Sequence, residues 1–342
     1  MPHPATLGNV FGAILLVVSR RIGQTNDPRS TTWDLKKNSH LWYIVRKTRG
    51  SLARVIAQAS QTALTAAAAR AAHLIVDREP RIFADTLAEG LLGERADELI
   101  AYHRNHGDLP VLASARAQAV IRARVTEEQL AAAVASGTDQ YVILGAGRDS
   151  FAYRSPIAER VRVFEVDHPV TQTYKRGRLD AMGLSAATTV SYVPIDFETD
   201  RLLTSLVAGG FDPTRSAVVS WLGVSMYLTR SAIRDILKEL GTLAPGSRLV
   251  MDYLLPAELR DPAGQMYAEL VGAMTAEHGE PWLTFLTPAQ AADLLAECGF
   301  VAVRSVGQRD ALPDALWRRD DALRPAALAM IAHATVAARA GR

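Results

Sequence analysis

Three short stretches of this 342-residue chain carry residue types suited to holding a nucleoside. The first, QYVILGAGRDSFAYR (140–154), breaks an apolar run with Gly145-Ala146-Gly147. Glycines at such a break let backbone approach a ligand with no Cβ in the way. A dinucleotide fingerprint would place a third glycine where Ser150 stands, and Gly-x-Gly alone is equally a plain tight turn. The second, VRVFEVDHP, ends in Glu165 and Asp167. Asp167 follows Gly147 by 20 residues, about the separation at which an acidic side chain meets ribose hydroxyls. Its bland alternative is a solvated carboxylate capping the segment that starts at Pro169. The third, YVPIDFETD, brings Asp196 and Phe197: an acceptor for an exocyclic amine and a ring to cover adenine, or a loop acid beside a core aromatic. Three consecutive runs ending in Gly-x-Gly, Asp and Asp-Phe favour a nucleoside far more than any one of them does.

Those residues need strands to position them. After Gly137, short β-branched runs at 141–144, 161–166, 190–193, 217–222, 248–253 and 301–306 alternate with helix-length segments, which predicts parallel pairing in βαβ units. Continuous apolar runs such as AVVSWL and RLVMDYL suit a sheet covered on both faces. Before Gly137 the alanine-rich segment 52–73 and the segments 83–92 and 112–135 read as helices. The expected architecture is an α/β, doubly wound, mostly parallel sheet (137–342) with a helical N-terminal cap (51–136) and an extension over 1–50. Ligands of such sheets sit beyond the carboxyl ends of the strands, near the switch point.

Composition sets the outer bounds. With 49% hydrophobic and 22% charged residues the chain reads as globular, and its one cysteine, Cys298, excludes an intrachain disulfide and an all-cysteine metal site. The net charge of +2 makes nucleic acid an unlikely partner overall, although nine basic residues crowd 20–54 against Asp27 and Asp34. That arm is read as a solvated leader, with an RNA or protein acceptor as the minor alternative. The run VFGAILLVV (10–18) is about half of what a bilayer requires, and Arg20 and Arg21 follow it, so neither a membrane span nor an export signal is expected. The expected location is cytoplasmic; the oligomeric state is left open.

With these motifs in place the chain resembles the leucine carboxyl methyltransferase family of S-adenosylmethionine-dependent O-methyltransferases, including polyketide-type members. The resemblance rests on PRIFADTLAEGLLG, IRARVTEEQL, ILGAGRDSFAYR, VFEVDHPVTQTYKRGRL, YVPIDFETD, GVSMYLT, GSRLVMDYL and LTPAQAADLLAECGF, in order, over about residues 60 to 306. It implies a Rossmann-like class I methyltransferase with a seven-stranded sheet and S-adenosylmethionine as cofactor. It also implies that Arg124 meets the methionine carboxylate and that Gly145, Ala146 and Gly147 line the amino acid portion. Asp167 would hold the ribose, and Asp196 with Phe197 the adenine. Many members carry a glutamate immediately before the Gly-Val-x-Met-Tyr-Leu segment; this chain has Leu222 there, so the anchor for the cofactor's amino group is missing or replaced by backbone carbonyls.

The acceptor is less legible. A carboxylate acceptor needs no base at neutral pH and a hydroxyl does. His168, Tyr227, Tyr253 and Asp252 lie near strand ends, each with a structural reading beside the catalytic one, and Arg154 could meet an anionic substrate or a neighbouring carboxylate. The segment 256–286 is expected to cover the acceptor, with Met266, Tyr267, Met274, Trp282 and Phe285 as pocket or core. The leading reading is O-methyl transfer to a carboxyl or hydroxyl oxygen of a small metabolite or natural product. An NAD-dependent oxidoreductase explains Gly145, Gly147 and Asp167 but not Asp196-Phe197, and Leu222 keeps open a degenerate cofactor-binding protein working through a partner.

Overall fold

The computed structural model describes residues 61–184 and 190–338. The basic arm, the apolar run at 10–18 and the start of the first expected helix lie outside the described residues. Four helices come first: α1 (Gln61–Val76), α2 (Ala88–Leu92), α3 (Ala96–His106) and α4 (Pro110–Ala135). Alanine is the best helix former and admits close approach; Ala67, Ala68 and Ala71 of α1 pack with Leu92, Leu99 and Ile100 from α2 and α3. The sequence reading contains no helix over 96–106, because ADELIAYHRNH has only Leu99 and Ile100 as large aliphatic residues, which with His103 form its buried stripe. The helix expected over 83–92 starts only at Ala88, since Asp85 is committed elsewhere: its carboxylate accepts from Arg70, Ser150 and the Leu87 N–H.

A buried polar cluster ties this cap together. Arg116 of α4 grips Asp77 with two nitrogens, at 2.9 and 2.8 Å, and donates to His103 Nδ1 at 3.2 Å. The Ile82 N–H donates to His73 Nε2 at 3.1 Å, which leaves the proton of His73 on Nδ1, 2.9 Å from Asp77. Burial pushes the Asp77 carboxyl up, but the bonds from His73 and Arg116 outweigh it and hold the group below its ordinary range.

Seven strands follow: β1 (Gln140–Leu144), β2 (Arg162–Asp167), β3 (Val190–Pro194), β4 (Val218–Trp221), β5 (Arg248–Leu254), β6 (Phe300–Gly307) and β7 (Ala329–Val336). Their order is β3-β2-β1-β4-β5-β7-β6; the first five run parallel, and β7 pairs antiparallel with both neighbours. Helices α5 (Phe151–Arg154), α6 (Pro169–Ala181), α7 (Leu202–Ala208) and α8 (Arg230–Leu240) make the crossovers, and α9 (Pro262–Glu277) with α10 (Pro288–Glu297) lies between β5 and β6. All six expected runs are strands. β7 has no such signal, because AMIAHATV is rich in alanine, a poor strand former; the strand uses Ala332 and Ala334 to fit beneath covering side chains.

Alternation divides the core as the pleat requires. Val142 and Leu144 enter one cluster with Phe164 and Trp221, while Tyr141 and Ile143 face the other side with Phe151 and Val163. Both faces are covered, which is why the strands read as unbroken apolar runs. The connections change direction between β1 and β4, so the loops after β1, β2, β4 and β5 surround the switch point. Proline at the first helical position sharpens the helix starts: Asp261 and Thr287 cap α9 and α10 ahead of Pro262 and Pro288, accepting from the Gly264 and Gln290 N–H groups.

Candidate functional site

The turn after β1 has φ of 67° at Gly145 and 48° at Gly147, values that glycine alone adopts freely. A Cβ on Gly145 would also collide with the side chain of Val224. The Gly145 and Ala146 N–H groups both donate to the Val166 carbonyl, at 2.8 and 3.1 Å, and the Gly147 N–H donates to Asp167 Oδ2 at 2.5 Å. These donors are therefore spent inside the protein. The helix that follows, α5, is a single turn, and its Phe151 N–H donates to Asp149. Ser150, at the third-glycine position, bonds Asp85 at 2.6 Å. A pyrophosphate would find no open helix N-terminus here, which removes the support for a nicotinamide dinucleotide.

Asp167 ends β2 beside that turn. Its second oxygen accepts from the His168 N–H at 2.7 Å. Burial pushes its carboxyl up, and the two N–H bonds offset this in part. Each oxygen keeps a free lone pair, the complement of a vicinal diol. The His168 ring is turned away: Nδ1 accepts from the Val170 N–H at 3.3 Å and caps α6. Beyond β3, Asp196 is exposed and accepts from the Glu198 N–H at 3.0 Å, while Phe197 packs half-buried against the sheet. The structure thus brings Gly145, Ala146, Gly147, Asp167, Asp196 and Phe197 to the ends of three adjacent strands.

Across the switch point stands a group whose partnership sequence reasoning missed. Asp252 of β5 is buried; Oδ1 accepts from the Gly223 N–H at 2.6 Å and Oδ2 from Arg122 at 2.9 Å. The Ser225 hydroxyl donates to the Asp252 carbonyl at 2.7 Å, stitching the loop after β4 to β5. The Arg122 guanidinium fills the space a Cβ on Gly223 would take, its nearest nitrogens 2.8 Å away. Arg124, two residues on and on another face of α4, bonds Glu128 at 2.7 Å and the Ile82 carbonyl at 3.2 Å. Leu222 packs half-buried among Phe83 and the apolar side chains of α4. Sequence offers one clue to the Arg122–Asp252 pair, a lone acid inside the apolar run RLVMDYL, which is tolerable only with a partner.

Above this pair, Tyr227 lies beside Tyr267 and Trp282, the last two stacked with ring centres 6.5 Å apart. Burial pushes the Tyr227 phenol up, and Tyr267 up to about 12. The segment carrying Trp282 folds back onto the loop after β4, since the Leu283 and Thr284 N–H groups meet the Met226 carbonyl at 2.7 and 3.2 Å. The first turn of α1 closes the same region: the Thr62 N–H donates to Glu280 at 3.2 Å, and Ala63 lies against Gly147. Of the other expected lining residues, Met266 and Phe285 are exposed, and Phe285 lies under Arg260. Tyr253 points into the sheet core, and Cys298 is buried with its thiol pushed up by burial. Among the described residues no His, Cys, Asp and Glu cluster could hold a metal ion, and no helix is long and apolar enough to cross a membrane.

Arg154 finds a neighbouring carboxylate: it pairs with Glu127 of α4, donates to Ser150 at 2.8 Å and stacks 4.5 Å over Phe83. With Arg70 on Asp85 at 2.7 Å, these groups fasten the cap to the turn after β1. Burial pushes the Asp85 carboxyl up, but Arg70 and its other partners hold it below the ordinary range.

Known proteins resemble this chain in sequence and in fold. A protein of Bacillus subtilis (strain 168), YktD, whose name places it among S-adenosyl-L-methionine-dependent methyltransferases, is 31% identical over 277 residues, covering 74% of this chain and 90% of that one. A protein of Saccharopolyspora erythraea named in the same way is 33% identical over 227 residues, covering 63% and 77%. A methyltransferase structure from Thermobifida fusca superposes with a TM-score of 0.51 at 21% identity, covering 73% and 93%, which speaks for the fold alone. The family profile described as leucine carboxyl methyltransferase matches residues 63–241. The chain belongs to the leucine carboxyl methyltransferase family and is an S-adenosylmethionine-dependent methyltransferase with the Rossmann-like fold of that class.

Proposed function

We propose that the protein methylates an oxygen of a small metabolite, and that the oxygen belongs to a carboxylate. What supports this is that, among the described residues, the candidate bases on the acceptor side of the strand ends are engaged or held protonated. Tyr227 and Tyr267 stay protonated at neutral pH, Asp252 is held by Arg122 and the Gly223 N–H, Glu280 takes the Thr62 N–H, and the His168 ring caps a helix. A hydroxyl acceptor would require a base in reach, whereas a carboxylate arrives ionised.

The residues present fit the cofactor by the chemistry of their donors and acceptors. Asp167 keeps lone pairs for ribose hydroxyls, Asp196 and Phe197 suit adenine, and the Gly145–Gly147 turn presents backbone with its N–H groups already used. Arg122, whose guanidinium faces the ends of β4 and β5, takes the methionine carboxylate in this reading, in place of Arg124. The buried carboxylate of Asp252 and the carbonyls of the glycine turn serve the amino group where Leu222 offers nothing polar. When bound, the sulfonium supplies an activated methyl group, so no covalent step falls to a side chain. The protein's part is orientation: Tyr227, Tyr267 and Trp282 form an aromatic wall, and α1 shields the region from water. Incubating the full chain with S-adenosylmethionine and panels of small carboxylic acids, phenols and amines tests the reading. An alkali-labile methyl ester supports it; an alkali-stable ether or a methylated amine would overturn it.

A further inference from the structure

Arg148, directly after the glycine turn, is 2% exposed, yet none of its three guanidinium nitrogens has a hydrogen-bond partner. Its carbonyl accepts from Arg70 at 2.7 Å, and its guanidinium lies 4.2 Å from the centre of the Tyr174 ring. Arg178, one turn beyond Tyr174 on α6, gives one nitrogen to the Gly90 carbonyl at 3.1 Å, and its buried Nε has no partner. Arg70, Arg95 and Arg178 all lie near enough for their charges to act on Arg148. Asp85 neutralises Arg70 and Glu98 neutralises Arg95; Arg148 and Arg178 have no carboxylate among the described residues. Burial, with repulsion from the other three arginines, holds Arg148 down to about 10, so it remains a cation at neutral pH.

A buried cation with every donor unused is an unfavourable arrangement that an acceptor relieves. Tyr174, whose ring lies over it, is 38% exposed. A Cβ at Gly177, exposed on α6, would meet nothing within 4 Å, so the outer surface beside Arg178 is open. The planar fork of arginine matches the two oxygens of a carboxylate or phosphate. The place is set apart from the proposed cofactor residues along α6: Asp167 ends β2 just before that helix begins, whereas Arg178 stands in its last turn against the Gly90 carbonyl, and Arg122 and Asp252 lie across β1. We propose that Arg148 and Arg178 form a second ligand site, an anion pocket that takes the phosphate or carboxylate group of a small molecule.

Thermal melts of the full chain test this, with inorganic phosphate and acetate titrated separately against sodium chloride at matched ionic strength. The wild type should show a saturable rise of about 2–4 °C with one or both anions above the chloride control, and the effective anion identifies the group. Arg148→Met should lose that rise while keeping a cooperative melt, and where it does not fold, Arg178→Met carries the same comparison. General salting-out raises wild type and variant alike. An equal rise in the variant, or none beyond chloride in the wild type, would overturn the pocket.

Discussion

At the scale of single residues the site divides into what its spacing announces and what only a partner reveals. Gly145, Gly147 and Asp167 are legible because the turn and the carboxylate 20 residues after it lie side by side, the Gly147 N–H donating to Asp167. The two arginines of IRARV are not separable in sequence, since both read as polar positions on a helix. Packing separates them: 100° per residue turns Arg122 toward Asp252 and Arg124 toward Glu128. Arg122→Gln is therefore expected to weaken S-adenosylmethionine binding by about 2 kcal/mol or more, because it removes a charged partner and leaves Asp252 buried alone. Arg124→Gln, losing a surface ion pair, should stay within about 0.5 kcal/mol of wild type. Calorimetric titration of both folded variants checks the pair; similar losses, or the reverse order, would return the role to Arg124.

At the scale of elements, the cap depends on a cluster whose members are far apart in sequence, which is why it could not be read there. His103 in α3 is held down at about 3, first by burial and then by the charge of Arg116. The unfolded chain takes up a proton on this ring near pH 6.5 that the folded protein refuses. Stability should therefore fall as pH drops from about 6.5 toward 3, by up to about 1.4 kcal/mol per unit from this residue. Asp77, held low in the fold, adds a separate loss only further into acid. His103→Gln keeps an acceptor for Arg116 and removes the titration. Urea unfolding between pH 6.5 and 5 should show a slope shallower by about 1 kcal/mol per unit. An unchanged slope would mean that His103 is not a buried neutral ring.

At the scale of the whole molecule, alternation of β-branched runs with helix-length segments was enough for a doubly wound sheet and six of its strands. Helix α3 escaped because a polar helix needs only one buried stripe, and β7 because small residues suit the interior of a sheet as well as they suit a helix. Yet β7 completes the hydrogen bonding of both β5 and β6. A chain ending at Leu328 should accordingly lose the cooperative melt and leave the soluble fraction, because it exposes the long apolar edge of β5. Size-exclusion chromatography and a thermal scan decide this; a soluble, cooperatively melting fragment would mean that β7 only decorates the sheet. The same topology sets an order of events during translation. β1 to β5 can assemble as soon as they emerge, but β5 keeps an open edge, and β6 has no mate, until residues 329–336 have been made. Until β7 has emerged the nascent chain is therefore at its most adhesive stage, and chaperone demand should peak there.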